Sequence, residues 1–215
     1  RHRSSPRMST LGSWRARVAQ ALELQHDYDH RKLEPAFADA GAQEAAVLLL
    51  LKPLSETDAE ILLTRRTDTV DHHKGQIAFP GGRTDSEDSH PTDPSLTALT
   101  TALRETEEEV GLPRSRVEVI GTLPRMMTVT RFSVVPVVGL LRDPGTPVEL
   151  TRNLHETEEV FWASISLLHS PGTYRQEFVE WGGGKFPTHV YQVGTHRVWG
   201  ATGAILKNFL DRLGS

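Results

Sequence analysis

The chain of 215 residues contains no cysteine, which excludes disulfide bonds, thiol catalysis and zinc sites built on thiolates. It also lacks an apolar run long enough to cross a membrane, and no signal-peptide pattern opens it. The His-Glu-x-x-His motif of zinc proteases and the Gly-x-Ser-x-Gly turn of serine hydrolases are missing as well. We therefore expect a cytoplasmic protein that uses neither a thiol nor an activated serine.

An excess of positive charge is also missing. The chain has 24 lysines and arginines against 28 aspartates and glutamates, a net charge of −4, so nothing in its overall charge attracts nucleic acid or an anionic membrane. Its length, with 37% hydrophobic residues, predicts one sizeable core. We expect an N-terminal tail and helix over residues 1–35 and a main domain over 36–215, with a flexible tail to Arg7 and a helix between residues 13 and 33. The sequence leaves the oligomeric state open.

A helix is predicted over residues 94–110. Asp93 is a good N-cap, Pro94 suits the first helical position, and Gly111 followed by a proline is a stop signal. The apolar or small positions on one side of this helix have the spacing of a helix packed on a sheet; they are Leu99, Leu103, Thr106 and Val110.

The opposite side of this helix is acidic. Glu105, Glu108 and Glu109 stand at positions i, i+3 and i+4, so their carboxylates project from one face within about a turn of each other. Upstream, residues 76–79 read as a short strand that runs into Pro80-Gly81-Gly82, where glycines allow a sharp turn close to a ligand. Carboxylate oxygens are the ligands that hard divalent cations prefer. A solvated charged face is the competing interpretation, and the ordered clustering weakens it.

Further strands are predicted around this helix. Residues 45–51 and 60–64 read as an antiparallel pair, and residues 117–121 and 133–141 as two more strands. Pro136 places the centre of the last one at a sheet edge or bulge. Buried strands with amphipathic helices predict an α/β layered domain.

The acidic helix and the glycine turn together form a known pattern. Gly-x5-acid followed by Arg-Glu-x2-Glu-Glu-x-Gly, ending at Gly111, resembles the motif of the Nudix hydrolases. Residues 62–82 also look like the signature that precedes this motif in the coenzyme A pyrophosphatase branch. The resemblance implies a Nudix-type α/β/α sandwich with a mixed sheet and an N-terminal helical extension. It also implies metal-dependent hydrolysis of the diphosphate linkage of coenzyme A or its derivatives.

Two alternatives stay open within the same fold. One is a hydrolase of ADP-ribose or another nucleoside diphosphate derivative, and the other is a module that senses a nucleotide without cleaving it. The sequence departs from the branch at Thr67, where Ser or Ala is usual, and at Asp71, where Arg is usual. Fifteen residues separate Asp88 from Arg104 where the family has seven, which indicates a loop insertion. The first acidic position is Glu87 or Asp88.

The resemblance assigns roles to particular residues. A small-molecule nucleotide substrate and Mg2+ or Mn2+ are expected, with Glu105, Glu108, Glu109 and the backbone of Gly82 as metal ligands. Glu105 and Glu108 would also act in catalysis, and Arg104 would orient a carboxylate by ion pairing.

Candidates for substrate contacts and for the general base lie elsewhere in the chain. The cationic candidates for the diphosphate are Arg65, Arg66, Lys74 and Arg131. The candidates for the base are Glu108 and two glutamates of a later acidic segment, Glu156 and Glu159.

Overall fold

Four helices and eleven strands are assigned in the computed structural model, which describes residues 6–24, 41–67, 75–181 and 183–214. The helices are α1 (Pro6–Glu23), α2 (Pro94–Val110), α3 (Ile165–Leu168) and α4 (Gly200–Leu213). Within these described ranges, no helix is both long enough and apolar enough to span a bilayer.

Eight of the strands form one mixed sheet. They are β1 (Gln43–Pro53), β2 (Ala59–Arg66), β3 (Ile77–Ala78), β4 (Gly81–Arg83), β5 (Val117–Thr122), β6 (Met126–Met127), β7 (Phe132–Leu141) and β8 (Thr157–Ser164). The main order is β3-β2-β1-β7-β5, with β4 on β1, β6 on β7 and β8 on β2. The β1–β7 pair is parallel and the other pairs in this sheet are antiparallel.

A second, three-stranded antiparallel sheet follows. It is formed by β9 (Tyr174–Trp181), β10 (Gly184–Val193) and β11 (His196–Val198) in the order β11-β10-β9. The glycines at 183 and 184 lie at the turn of the β9–β10 hairpin.

The large sheet is packed on both faces. Leu48 and Leu50 of β1 point to a core shared with α2, whereas Leu49 and Leu51 point to a core shared with α1 and α4. This alternation follows from the two-residue period of a strand, and it explains why β1 is apolar at consecutive positions. The α/β/α sandwich with a mixed sheet is therefore confirmed.

Helix α2 has the predicted bounds. The Asp93 carboxylate accepts hydrogen bonds from the backbone N–H groups of Ser95 (2.9 Å) and Leu96 (3.4 Å). At the other end, Gly111 adopts a left-handed conformation with φ +69°. These are the caps that the sequence specifies.

Helix α1 begins earlier than predicted. It starts at Pro6, inside the segment predicted to be a tail, and ends at Glu23. Trp14 and Val18 are fully buried in the core with α4, and the Trp14 indole N–H donates to the carbonyl of Ser55 (2.7 Å). Residues 25–40, which include the predicted end of this helix, lie outside the described ranges.

Of the two alternatives predicted for Pro136, the sheet edge is wrong, because β7 is interior, between β1 and β5, whereas an irregularity does occur in the pairing of β5 with the centre of β7. Proline is tolerated there because Pro136 lies between the part of β7 that pairs with β5 and the part that pairs with β6. The register of β5 shifts between Val119 and Gly121, and beyond the end of β5 the carbonyl of Pro136 accepts a hydrogen bond from Leu123 N–H (2.9 Å). A missing N–H donor interrupts no regular pairing at that point.

Candidate active site

The glycine turn lies directly against the acidic face of α2. Gly81 and Gly82 pair with Val47 and Ala46 of β1, so the turn is fixed to the centre of the sheet. A Cβ atom added at Gly82 would lie 2.5 Å from both carboxylate oxygens of Glu105. Only glycine therefore allows the Glu105 carboxylate to approach the backbone this closely.

Glu109 is the most buried of the predicted metal ligands, with 2% of its surface exposed. Its carboxylate accepts hydrogen bonds from the Gly81 N–H (3.1 Å) and from Arg66 Nη1 (3.3 Å). Burial raises the pKa of Glu109 to about 8, although Arg66 and the Gly81 N–H oppose this rise. The neighbouring groups therefore offset only part of the cost of burying a negative charge on Glu109.

Glu105 and Glu108 share one cationic neighbour. Arg104 Nη1 lies 3.0 Å from a carboxylate oxygen of each. The Glu105 side chain is 14% exposed, whereas that of Glu108 is 55% exposed. Burial raises the pKa of Glu105, and the charge of Arg104 opposes this shift. Arg104 therefore holds both carboxylates on the side of the helix that faces the turn.

Asp88 is the acid that fixes Arg104. Arg104 donates from Nε to Asp88 Oδ1 (2.9 Å) and from Nη2 to Oδ2 (2.7 Å), a bidentate geometry. Asp88 is buried, and the hydrogen bonds from Arg104 hold its pKa below the ordinary value. Glu87 is exposed in the preceding turn. Of the two acids left open by the sequence, Asp88 is the one that contacts Arg104.

The sequence did not reveal that Thr101 supports Asp88. The Thr101 hydroxyl donates to Asp88 Oδ2 (3.0 Å), and so does the backbone N–H of Asp85 (3.0 Å). Thr101 stands one turn before Arg104 on α2, and that spacing is the only signal that could have indicated it. The loop insertion after Asp88 leaves this cluster intact.

Glu156 belongs to the same acidic region. Its negative charge contributes to the raised pKa of both Glu105 and Glu109. The loop that carries it is attached to α2, because the Asn153 N–H donates to the carbonyl of Glu109 (2.8 Å). The Asn153 side chain also donates to Glu156 Oε1 (3.3 Å). Asn153 is thus a positioning residue that the sequence reasoning missed.

Glu159 contacts the small sheet rather than the acidic face of α2. Its carboxylate lies 3.3 Å from His196 Nε2 of β11, and the His196 ring stacks on Phe161 at a centroid distance of 4.3 Å.

The predicted substrate cations are dispersed. Arg66 contacts Glu109, whereas Arg65 pairs with Glu158 (3.4 Å). Arg131 has φ +63° in the turn between β6 and β7, and its carbonyl accepts from Gln43 N–H (2.9 Å). Lys74 lies outside the described residues. Of these cations, Arg66 is the one that the structure brings to the acidic face.

Comparison with known proteins identifies the family. A model described as the NUDIX domain matches residues 43–181, which include the whole of the glycine turn, α2 and the Glu156 loop. The chain belongs to the Nudix family.

Curated Nudix proteins from bacteria and plants are similar over most of the chain. The protein named "Uncharacterized Nudix hydrolase NudL" of Photorhabdus laumondii is 37% identical over 171 residues, 80% of this chain and 85% of that protein. "Nudix hydrolase 15, mitochondrial" of Arabidopsis thaliana is 33% identical over 170 residues, 76% of this chain. The match spans only 56% of the length of the Arabidopsis protein.

A solved Nudix structure shares the fold. The MutT/nudix family protein from Enterococcus faecalis superposes with a TM-score of 0.52 over 99% of this chain and 76% of its own, at 16% identity. At that identity, the likeness concerns the fold alone.

Nudix hydrolases generally use divalent cations such as Mg2+ or Mn2+, and the donor set here fits such an ion. Among the described residues, no three His, Asp or Glu side chains are gathered as a metal cluster, and Arg104 and Arg66 form ion pairs with the carboxylates of α2. The carboxylates nevertheless raise one another's pKa, so a cation bound among them would offset their mutual repulsion and favour their ionised forms. Oxygen donors of this kind suit hard cations.

Proposed function

We propose that this protein is a divalent-metal-dependent hydrolase that cleaves the diphosphate linkage of coenzyme A or its derivatives, giving 3',5'-ADP and 4'-phosphopantetheine-type products. The observation that carries the hydrolase part is the contact of two α2 carboxylates with one backbone turn. Glu105 lies against Gly82, and Glu109 accepts the Gly81 N–H. Such a site gathers carboxylate oxygens beside one main-chain turn, and oxygen atoms are the ligands that hard cations prefer.

Each residue of the site has a proposed task. Glu105, Glu108 and Glu109 would hold Mg2+ or Mn2+, with a backbone oxygen of the Gly81-Gly82 turn. Once bound, the cation would neutralise diphosphate oxygens and lower the pKa of a coordinated water. Arg104, fixed by Asp88, would keep Glu105 and Glu108 oriented.

The general base is proposed to be Glu108 or Glu156. Glu108 is half exposed and lies beside Arg104, so its carboxylate is accessible to a water molecule. Glu156 is close enough to Glu105 and Glu109 to affect their pKa values. Glu159 is the weaker candidate because His196 occupies its carboxylate.

The substrate class rests on the similarity of residues 62–82 to the signature of the coenzyme A pyrophosphatase branch. The departures at Thr67 and Asp71 make ADP-ribose the natural competitor. Replacing a cation with an anion at Asp71 weakens the attraction of a phosphate-rich substrate. A direct comparison of coenzyme A and ADP-ribose as substrates therefore distinguishes the two assignments.

The test is a substrate panel under steady-state conditions. Coenzyme A, an acyl-coenzyme A and ADP-ribose are incubated with the protein and Mg2+, Mn2+ or a chelator, and products are separated by chromatography. Glu109→Gln is the test variant. Glu107→Gln is the matched control, because Glu107 lies in the same acidic run but pairs with Arg114 (2.9 Å) outside the site.

We expect metal-dependent release of 3',5'-ADP from coenzyme A, with kcat/KM for coenzyme A above that for ADP-ribose. Glu109→Gln should lose at least about a hundredfold in kcat, since the variant removes a proposed ligand of the cation that would neutralise the developing negative charge. Glu107→Gln should retain the parent rate. Faster cleavage of ADP-ribose would overturn the coenzyme A assignment, and binding without cleavage of any substrate would indicate a sensor module.

A further inference from the structure

Strand β9 lies at the outer edge of the small sheet. In the described part of the chain, β9 pairs with β10 along Tyr174–Trp181 and with no other strand. An edge strand of eight residues presents a row of unpaired main-chain groups, which proteins usually protect with proline, lysine or a covering element. β9 carries three charged residues, Arg175, Glu177 and Glu180, but neither proline nor lysine.

Apolar side chains on β9 are exposed as well. Phe178 is 66% exposed and Tyr174 is 37% exposed. The two residues differ by four positions and therefore project from the same face of the strand. A long edge with aromatic side chains on one face is suited to pairing with another strand.

The direction of the main-chain groups is set by one hydrogen bond. Gln192 N–H donates to the carbonyl of Thr173 (2.8 Å), so the polar groups of Thr173 face β10. Main-chain groups alternate in direction along a strand, and the register with β10 is continuous through β9. The N–H and C=O groups of Tyr174, Gln176 and Phe178 therefore point away from β10.

The sequence of this edge is complementary to itself. In Tyr-Arg-Gln-Glu-Phe, residues 174–178, an aromatic residue and a charged residue of opposite sign stand symmetrically on each side of Gln176. We propose that β9 pairs antiparallel with β9 of a second copy of this chain about a two-fold axis at Gln176, which joins the two small sheets into one of six strands.

In this register, the outward-pointing main-chain groups of Tyr174, Gln176 and Phe178 all find hydrogen-bond partners in the second copy. Gln176 meets its own copy as a hydrogen-bonded pair, and Tyr174 meets Phe178 of the partner subunit twice, as an aromatic cross-strand pair. Arg175 meets Glu177 of the partner subunit twice. Rotation about the two-fold axis leaves each face of the sheet on the same side. Opposed residues must therefore both have even numbers or both have odd numbers, because side chains alternate between the two faces. Centring the axis on Glu177 would oppose two like charges.

Arg175 and Glu177 already pair within one chain, so the dimer exchanges these ion pairs between the two copies. Within one chain, Arg175 Nε lies 2.6 Å from Glu177 Oε1, and Arg197 Nη2 lies 2.6 Å from Glu177 Oε2. These three side chains lie on one face of the small sheet, and in the proposed register each Arg175 and Glu177 again faces a residue of opposite charge.

The absence of cysteine from the chain allows a direct test of the register. Opposed residues of a hydrogen-bonded pair have Cα atoms about 5.5 Å apart, which is within disulfide range. We expect Gln176→Cys to form an intermolecular disulfide rapidly under mild oxidation. Glu180→Cys is the control: its side chain is 80% exposed on the same strand, but in this register it lies about 27 Å from its own copy.

Sedimentation velocity over a range of concentrations tests the association itself. The parent should be a dimer, and Gln176→Pro should be monomeric because proline removes a central outward N–H while leaving the pairing with β10 intact. Arg175→Glu should weaken the dimer at least about tenfold by opposing like charges. Both variants should remain folded, as judged by circular dichroism, and should keep the parent hydrolytic rate, since neither lies in the candidate active site.

Three results would overturn the proposal. One is a parent that stays monomeric up to its solubility limit. Another is disulfide formation by Glu180→Cys as rapid as that of Gln176→Cys. The third is a dimer that persists unchanged in Gln176→Pro, which would show that the chain associates through another surface.

Discussion

Replacing Gly82 with alanine should separate metal binding from folding. The new Cβ would lie 2.5 Å from both carboxylate oxygens of Glu105, so that carboxylate must move. The new Cβ meets only the far end of a flexible side chain, which can move aside. Replacing glycine also reduces the conformational entropy of the unfolded chain, and this stabilises the folded protein by about 0.4–1 kcal/mol. The free energy of unfolding of the metal-free protein should therefore change by less than about 1 kcal/mol.

Metal binding should respond differently. Displacing a ligand from its supported position typically lowers metal affinity about 10–100-fold, which corresponds to about 1.4–2.8 kcal/mol. We expect a loss of this size for Mn2+ in Gly82→Ala, measured by calorimetric titration.

Gly81→Ala provides the contrast. Gly81 has φ +154°, and a Cβ there would lie 2.5 Å from the Cα of Val47 in the central strand. Backbone cannot move aside as a side chain can, so overpacking adds about 1–3 kcal/mol and the strained dihedral about 1–3 kcal/mol. Since 1 kcal/mol shifts Tm by about 2–4 °C in a chain of this size, Tm should fall at least about 5 °C.

The assay is thermal unfolding of both metal-free variants by circular dichroism, combined with the titration. Parent-like Mn2+ affinity in Gly82→Ala would refute the reasoning, because Glu105 would then bind no metal beside the turn. Equal loss of Tm in the two variants would refute it too, since the two glycines would then share one packing role.

Three further predictions concern the buried charges. Asp88→Asn should destabilise the protein by about 3 kcal/mol because it breaks the bidentate pair with Arg104, as judged by urea unfolding. The pKa of Asp88 is lowered, so this deficit should be complete at pH 7 and shrink as pH falls below the ordinary value of about 3.9. In metal-free protein, the raised pKa of Glu109 should lower stability as pH rises from the ordinary value of about 4.3 to about 8. Glu109→Gln should remove that dependence in a series of melts. Arg212→Met should cost about 2–3 kcal/mol in urea unfolding, because buried Arg212 donates to the carbonyl of Leu24 after α1.

Each of these three predictions would be contradicted by a particular result. A deficit of Asp88→Asn that persists unchanged below pH 3 would mean that lost packing, not the ion pair, causes it. A parent and a Glu109→Gln variant with parallel pH profiles would show that folding does not shift the pKa of Glu109. Arg212→Met with parent stability would show that α1 is held by its apolar side chains alone.

Local signals account for the parts of the structure that the sequence predicted well. The bounds of α2 follow from Asp93, Pro94 and Gly111, whose caps act within a few residues of the chain. The apolar runs of β1 and β7 are long enough to indicate buried strands. The approach of Gly82 to Glu105 follows the family pattern, which relates two segments that single-residue propensities cannot connect.

Long-range contacts account for what the sequence could not provide. Nothing local distinguishes Arg66 from Arg65, yet only the former contacts Glu109. The choice of Asp88 over Glu87 depends on which side of a short turn faces Arg104. The interior place of Pro136 depends on where β5 ends along the neighbouring strand, and that register is set by packing of the whole sheet.

A glutamine scan of the acidic run, read by Mn2+ titration, tests the central claim most directly. If the carboxylates that face the glycine turn hold the cation, Glu105→Gln, Glu108→Gln and Glu109→Gln should each weaken Mn2+ binding at least about tenfold, and Glu107→Gln should bind as the parent does. Equal weakening at all four positions would show a general charge effect. Unchanged binding at all four would place the cation elsewhere, and either result would contradict the account.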